Sequence, residues 1–136
     1  MKRRYILKSA LITTLLLLAA QLTRVSAQSR AYLKFGPGGE AIGLFNLVKD
    51  PVICGERWRV FEGVVTYARS EKRNKDLDYR FTLNAEGKLR SFAFSLSVDE
   101  LPRSEIGKLI ARKRGVRVRA CVGTGVWNAE EVVRNE

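Results

Sequence analysis

The apolar part of this chain keeps a two-residue period and breaks it clearly once. Tyr79, Phe81 and Leu83 alternate with Arg80, Thr82 and Asn84, and after Asn84-Ala85-Glu86-Gly87-Lys88 the alternation resumes with Phe92, Phe94, Leu96 and Val98. Successive side chains of a strand point to opposite faces, so this pattern predicts two half-buried strands joined as a hairpin. Over 99–114 the period changes. Ile106, Leu109, Ile110 and Lys113 fall at helical spacing, with Glu100 and Glu105 early, Arg112, Lys113 and Arg114 late, and Gly115 as a stop. That charge order complements a helix dipole, so one helix is expected here. Val116, Val118, Ala120 and Val122 then restore the alternation, Gly123-Thr124-Gly125 turns the chain, and 126–133 reads as a last strand before a polar tail that should fray.

Upstream, 58–69 reads as a long strand with apolar residues on both parities: Trp58, Val60, Val64 and Ala68 on one, Phe61, Val65 and Tyr67 on the other. A strand apolar on both sides is expected to curve so that its two ends face different parts of a core, with Gly63 at the bend. The stretch 70–77 is charged and reads as a loop. Residues 31–35 are weakly strand-like, and 40–48 fit either a short strand or a turn and a half of helix. Gly36-Pro37-Gly38-Gly39 between them lacks the Lys-Ser/Thr of a phosphate loop and predicts a hairpin turn.

The order is therefore a long bent strand, a hairpin, a helix and a final strand pair. With Gly63 in the first strand, the helix over 105–113 and the ending Trp127-Asn128-Ala129-Glu130-Glu131-Val132-Val133, the chain resembles the OB-fold, a five-stranded Greek-key barrel with a helix between its third and fourth strands. The likeness is to exported bacterial OB-fold, anticodon-binding-like small domains, and it rests on architecture rather than on a diagnostic motif. It implies a mainly β fold with one helix. The barrel domain would span 58–136, and 28–57 would be an N-terminal extension or hairpin. A small antiparallel sheet with one packed helix is the competing arrangement.

The segment 1–27 has the make-up of a signal peptide. Lys2, Arg3, Arg4 and Lys8 precede a short apolar run over 10–20, and Val25-Ser26-Ala27 closes it on a small-x-small cleavage pattern. Lys8 on one side and Gln21, Thr23 and Arg24 on the other leave too few apolar residues for a membrane span. General secretion and twin-arginine export both accommodate the Arg3-Arg4 start. Cleavage leaves 109 residues, enough for one modest core, and lowers the formal charge from +11 to +6 because five basic residues depart with the leader. A periplasmic or secreted location follows, with no membrane span after cleavage. In such a compartment the even pair Cys54 and Cys121 reads as one disulfide.

Histidine is absent, which removes the commonest general base and the commonest transition-metal ligand. With both cysteines oxidised, thiol and zinc chemistry go too. Three carboxylate pairs remain, Asp76 with Asp78, Asp99 with Glu100 and Glu130 with Glu131. They would suit a metal-dependent hydrolase, but solvated loop carboxylates are the commoner meaning of such pairs. The expectation is a protein that is not an enzyme and needs no cofactor and no metal.

OB-folds bind oligonucleotides and oligosaccharides across their second and third strands, and the resemblance implies the same face here. It would carry Arg69, Arg73, Lys75, Arg80, Lys88 and Arg90, with Tyr79, and Tyr67 beside it, as stacking groups. Basic grooves with interleaved aromatics suit single strands, although Tyr79, like Phe81, Phe92 and Phe94, equally fits a barrel core. Arg112, Lys113, Arg114, Arg117 and Arg119 form a second basic run. The expected function is an exported binding module for an anionic polymer, glycan or protein partner, nucleic acid among them. The alternative is a structural subunit of a cell-envelope complex that docks through 31–53.

Overall fold

The computed structural model describes residues 30–135; the expected leader, 1–27, lies outside them. The hairpin is present and sets the fold. β4 (Asp76–Ala85) and β5 (Lys88–Ser97) pair antiparallel from Asp76↔Ser97 to Ala85↔Lys88. The turn between them places Glu86 and Gly87 at positive φ, a conformation Gly87 adopts without strain. Leu77, Tyr79, Phe81, Leu83 and Ala85 point inward from β4, and Phe92, Phe94 and Leu96 from β5.

β3 (Trp58–Arg73) is longer than its sequence suggests. Its first half pairs with β6 (Gly115–Cys121), from Trp58↔Cys121 to Val64↔Gly115, and its second half pairs with β4, from Val64↔Asn84 to Arg73↔Asp76. The strand changes partner at Val64 and carries a bulge between Val65 and Tyr67. Gly63 stands at that crossing, where a Cβ would run into the Asn84 carbonyl. The expected bend is thus a close backbone approach that only glycine permits.

β7 (Trp127–Arg134) closes the structure by pairing antiparallel with β6 and parallel with β5. The result is a closed five-stranded barrel, β3-β4-β5-β7-β6-β3, with α1 (Arg103–Leu109) between its third and fourth strands in sequence, and an OB-fold-like Greek key describes it. Ahead of the barrel, β1 (Tyr32–Phe35) and β2 (Ala41–Phe45) form a hairpin around the Gly36–Gly39 turn. β2 adds to β7 through Gly43↔Val133 and Leu44↔Val132, so the extension continues the barrel's own sheet.

Two expectations are corrected. The charged stretch 70–77 is strand on both sides of a short turn at Asn74 and Lys75, because β4 supplies backbone partners as far as Arg73↔Asp76. The helix is shorter than its period suggests. Pro102 sits at its N-cap, Ile110 departs from helical dihedrals, and Lys113 at φ 74 starts the run into β6, so Gly115 opens a strand rather than ending the helix.

The core is one cluster. Ile106, Leu109 and Ile110 from α1 and just beyond it join Val116, Val118, Leu44 and Val132. An aromatic stack fills the hairpin's inner face: Tyr79 lies on Phe94 at 4.8 Å, Phe81 on Phe92 at 5.3 Å, and Phe61 bridges Phe92 and Trp127 at 5.6 and 5.1 Å. Such pairs add about 0.5–1.5 kcal/mol each beyond the area they bury. Cys54 and Cys121 form the expected disulfide, tying the turn after Pro51–Ile53 to the end of β6. Closing that 67-residue separation is worth roughly 4 kcal/mol in the chain-entropy account.

Candidate functional site: the outer face of the hairpin

The outer face of β3, β4 and β5 is built in rows by the strand register. Arg69 stands opposite Arg80, which stands opposite Ala93. The next row toward the strand change is Tyr67, Thr82 and Ser91, and the next toward the β3–β4 turn is Glu71, Asp78 and Ser95. Small residues on β5 therefore floor a trough whose wall on the β3 side is arginine.

Three depressions meet at Ser95. One of about 340 Å³ is lined by Arg69, Arg73, Asp78 and Arg80. A second of about 310 Å³ runs across Ala93 to Asn128 and to Val48 and Lys49. The third, about 540 Å³, lies under Asn46 and Lys49 and reaches Arg30 and Glu100. The N-terminal extension is thus the far wall of the trough.

Two carboxylates hold that wall in place. Glu130 accepts the Val48 N–H at 2.9 Å while its own backbone carbonyl accepts the Leu47 N–H, and Glu100 accepts the Ala31 and Ser97 N–H groups. Burial pushes the Glu130 carboxyl above its ordinary range; the Val48 hydrogen bond and the Arg119 charge oppose the rise, and Glu131 adds to it.

Ion pairing on the trough is loose. Arg69 reaches Glu71 at 3.9 Å and Arg73 reaches Asp78 at 3.6 Å, both well exposed on the arginine side. Asp78 also accepts the Ser95 hydroxyl. Exposed pairs of this length contribute about 0–1 kcal/mol, so an incoming anion competes with them at little cost. Arg80 takes part in none of the ion pairs among the described residues.

The expected site residues divide into three groups. Arg69, Arg73 and Arg80 line one depression at the β3–β4 end, and Lys75 sits in the turn beyond them. Tyr79 is only 7 % exposed, and stacked on Phe94 inside the barrel it offers no ring to a ligand on the outer face. Burial pushes its phenol upward, opposed by the charge of Arg103. Lys88 and Arg90 lie at the far end of the hairpin, and Arg90 is on the inner parity, opposite Leu83, with its guanidinium 5.2 Å from the Trp127 ring. Arg80 and Arg90 therefore do not share a face.

Tyr67, 51 % exposed, is the aromatic that does stand beside Arg69 and Arg80. Sequence reasoning missed Ser91, Ala93 and Ser95 as the floor. Their signal was there, since they are the small residues alternating with Phe92, Phe94 and Leu96. In the second basic run Arg119 lies 4.3 Å over Trp58.

Asp76 and Asp78 share the outer parity of β4, and Glu100 and Glu130 are spent on backbone N–H groups. No three His, Cys, Asp or Glu side chains among the described residues are grouped to hold a metal ion, and no helix among them is long and apolar enough to cross a membrane. No protein-family model, curated protein or solved structure matches this chain.

Proposed function

We propose that this chain is an exported, non-enzymatic OB-fold-like module that binds an extended anionic polymer along the outer face of its hairpin. The observation that carries the reading is the facing pair Arg69 and Arg80 above a floor of small residues, with Arg80 outside the ion pairs among the described residues. A chain of anions laid in the trough would meet Arg73, Arg80 and Arg69 in succession, with Tyr67 as a stacking surface and Lys49 on the opposite wall. A disulfide between residues of the mature part supports an oxidising compartment.

Each arginine that touches the polymer releases counterions, so affinity must fall as salt rises. Reversing Arg69 and Arg80 to Glu is expected to abolish binding of a sulfated glycan or a single-stranded oligonucleotide at low salt. The variant's melting temperature should stay near that of the parent, because exposed strand charges contribute little to stability. Unchanged binding in the folded double variant would reject this reading.

A second reading, an assembly subunit docking through 31–53, is favoured by apolar side chains on that segment. Tyr32 and Phe35 are exposed on the sheet's edge strand, and Val52 and Ile53 are 85 % and 73 % exposed. Co-purification of an envelope protein that is lost when Val52 and Ile53 are changed to Ser would select it.

A further inference from the structure

β3 outruns β6. Beyond the bonds that join Val65 to Arg114 and Lys113, residues 67–73 have a strand partner among the described residues only on the β4 side. The inner face of this overhang looks toward α1, and a cleft of about 420 Å³ lies between them. Part of its lining is apolar, Ala68 and the buried Phe81 from the sheet and the buried Ile106 and Ile110 from the helix and its exit, with Ala111 beside them; Thr66, Arg69, Ser70, Arg80 and Arg112 line the rest. Ala68 is opposite buried Phe81 yet exposed, and a Cβ at Gly107 would meet nothing within 4 Å. Two small residues thus leave room where a packed barrel end would have none.

The cleft also holds a polar group the fold does not satisfy. Tyr79 belongs to its wall, and the phenolic oxygen is buried with no hydrogen-bond partner among the described residues. A buried donor left unpaired costs about 1–3 kcal/mol. Cations flank it. Ser70, opposite Tyr79 in the register, accepts a 2.8 Å hydrogen bond from Nη2 of Arg103, and Arg112 borders the cleft as well. Arg103 is exposed, and its bond to Ser70 stands beside Tyr79 in the strand register.

We propose that this cleft is a binding site for a medium-chain alkyl carboxylate. The alkyl chain lies between Ala68, Phe81, Ile106 and Ile110, and the carboxylate accepts hydrogen bonds from the Tyr79 hydroxyl and the Arg103 guanidinium. Charge complementarity selects the head group, because the mouth offers donors and positive charge. The volume is within the range of small-ligand sites. The cleft opens on the α1 side of the strands and borders the outer trough, with Arg69 and Arg80 lining both.

Titrating octanoate into the protein by calorimetry tests this. One octanoate per chain is expected, and octanol, with the same tail and no charge, should bind at least about tenfold more weakly. Tyr79→Phe keeps the ring and removes the orphaned hydroxyl, so it should fold at least as well as the parent and bind octanoate about tenfold more weakly. Gly107→Leu fills the cleft from a good helix position and should abolish binding without lowering the melting temperature. Absence of octanoate binding, parental affinity in Tyr79→Phe, or undiminished binding in Gly107→Leu would each overturn the proposal. Tighter binding of N-acetyl-leucine than of octanoate would overturn the alkyl assignment in favour of a peptide C-terminus.

Discussion

The two halves of β3 are one strand under two regimes. From Trp58 to Val64 it pairs with β6 and closes the barrel, meeting β4 only at Val64; from Tyr67 to Arg73 it pairs with β4 and runs past the end of β6. The first half places Phe61 and Val65 against the core, whereas the second carries Arg69, Glu71, Lys72 and Arg73 in the open. A strand edge with free N–H and C=O groups invites pairing with other chains, and charged side chains are one way natural sheets discourage it. The lesson is that burial specifies the first half and backbone pairing with β4 specifies the second. Stability should therefore be concentrated in one and functional tolerance in the other.

The largest break in that contrast comes from the disulfide, which pins β6 beside the start of β3. Cys121→Ser should cost roughly 4 kcal/mol in urea unfolding, measured against the parent under oxidising conditions. Next is Gly63→Val, expected to cost about 1–3 kcal/mol or more because the new side chain meets the Asn84 carbonyl. On the overhang the matching change Lys72→Val should stay within about 0.5 kcal/mol. Equal losses from Gly63→Val and Lys72→Val would erase the distinction between the halves.

Hydrogen exchange sharpens the contrast without mutation. Amides of 67–73 should exchange by local opening well before those of 58–65, which are expected to open only with the whole barrel. A common exchange rate along β3 would contradict the two-regime account.

The smallest effect concerns the wall of the trough. Glu130 carries a folded pKa raised from an ordinary 4.5. Between the unfolded and the folded value the native state binds more protons than the unfolded chain. Its contribution to stability therefore falls as pH rises through that window and is recovered as pH drops toward 4.5. Glu130→Gln, which retains an acceptor for the Val48 N–H, should flatten that slope while leaving the fold intact. A slope that is unchanged in the variant would assign the dependence to another group.

Much of the fold was legible because apolar parity is a direct imprint of burial. Phe81 and Leu83 on β4, Phe92 and Phe94 on β5, and Val116 and Val118 on β6 announced their strands. The overhang was not legible. Ser70-Glu71-Lys72-Arg73 carries no apolar alternation, since it contributes no side chain to the core and its strand character comes from hydrogen bonds to β4. The outer face was read in part. Arg69 and Arg80 fall together because both halves of that pairing are long strands. Arg80 and Arg90 separate because Ala85 pairs with Lys88, so an even-numbered residue on β4 stands opposite an odd-numbered one on β5. Tyr79 shares the parity of Phe81, and that parity alone places its ring inside.

The β2–β7 ladder has a consequence for the chain's birth. Leu44 is paired with Val132, so nearly the whole polypeptide must emerge before either residue meets its partner. At synthesis rates of about 5–20 residues per second the earlier strand waits on the order of ten seconds. Until β7 arrives the nascent barrel has neither its closing strand nor the ladder that carries the first hairpin, and Cys54 waits almost as long for Cys121. The architecture thereby delays its own completion until the last strand has been made.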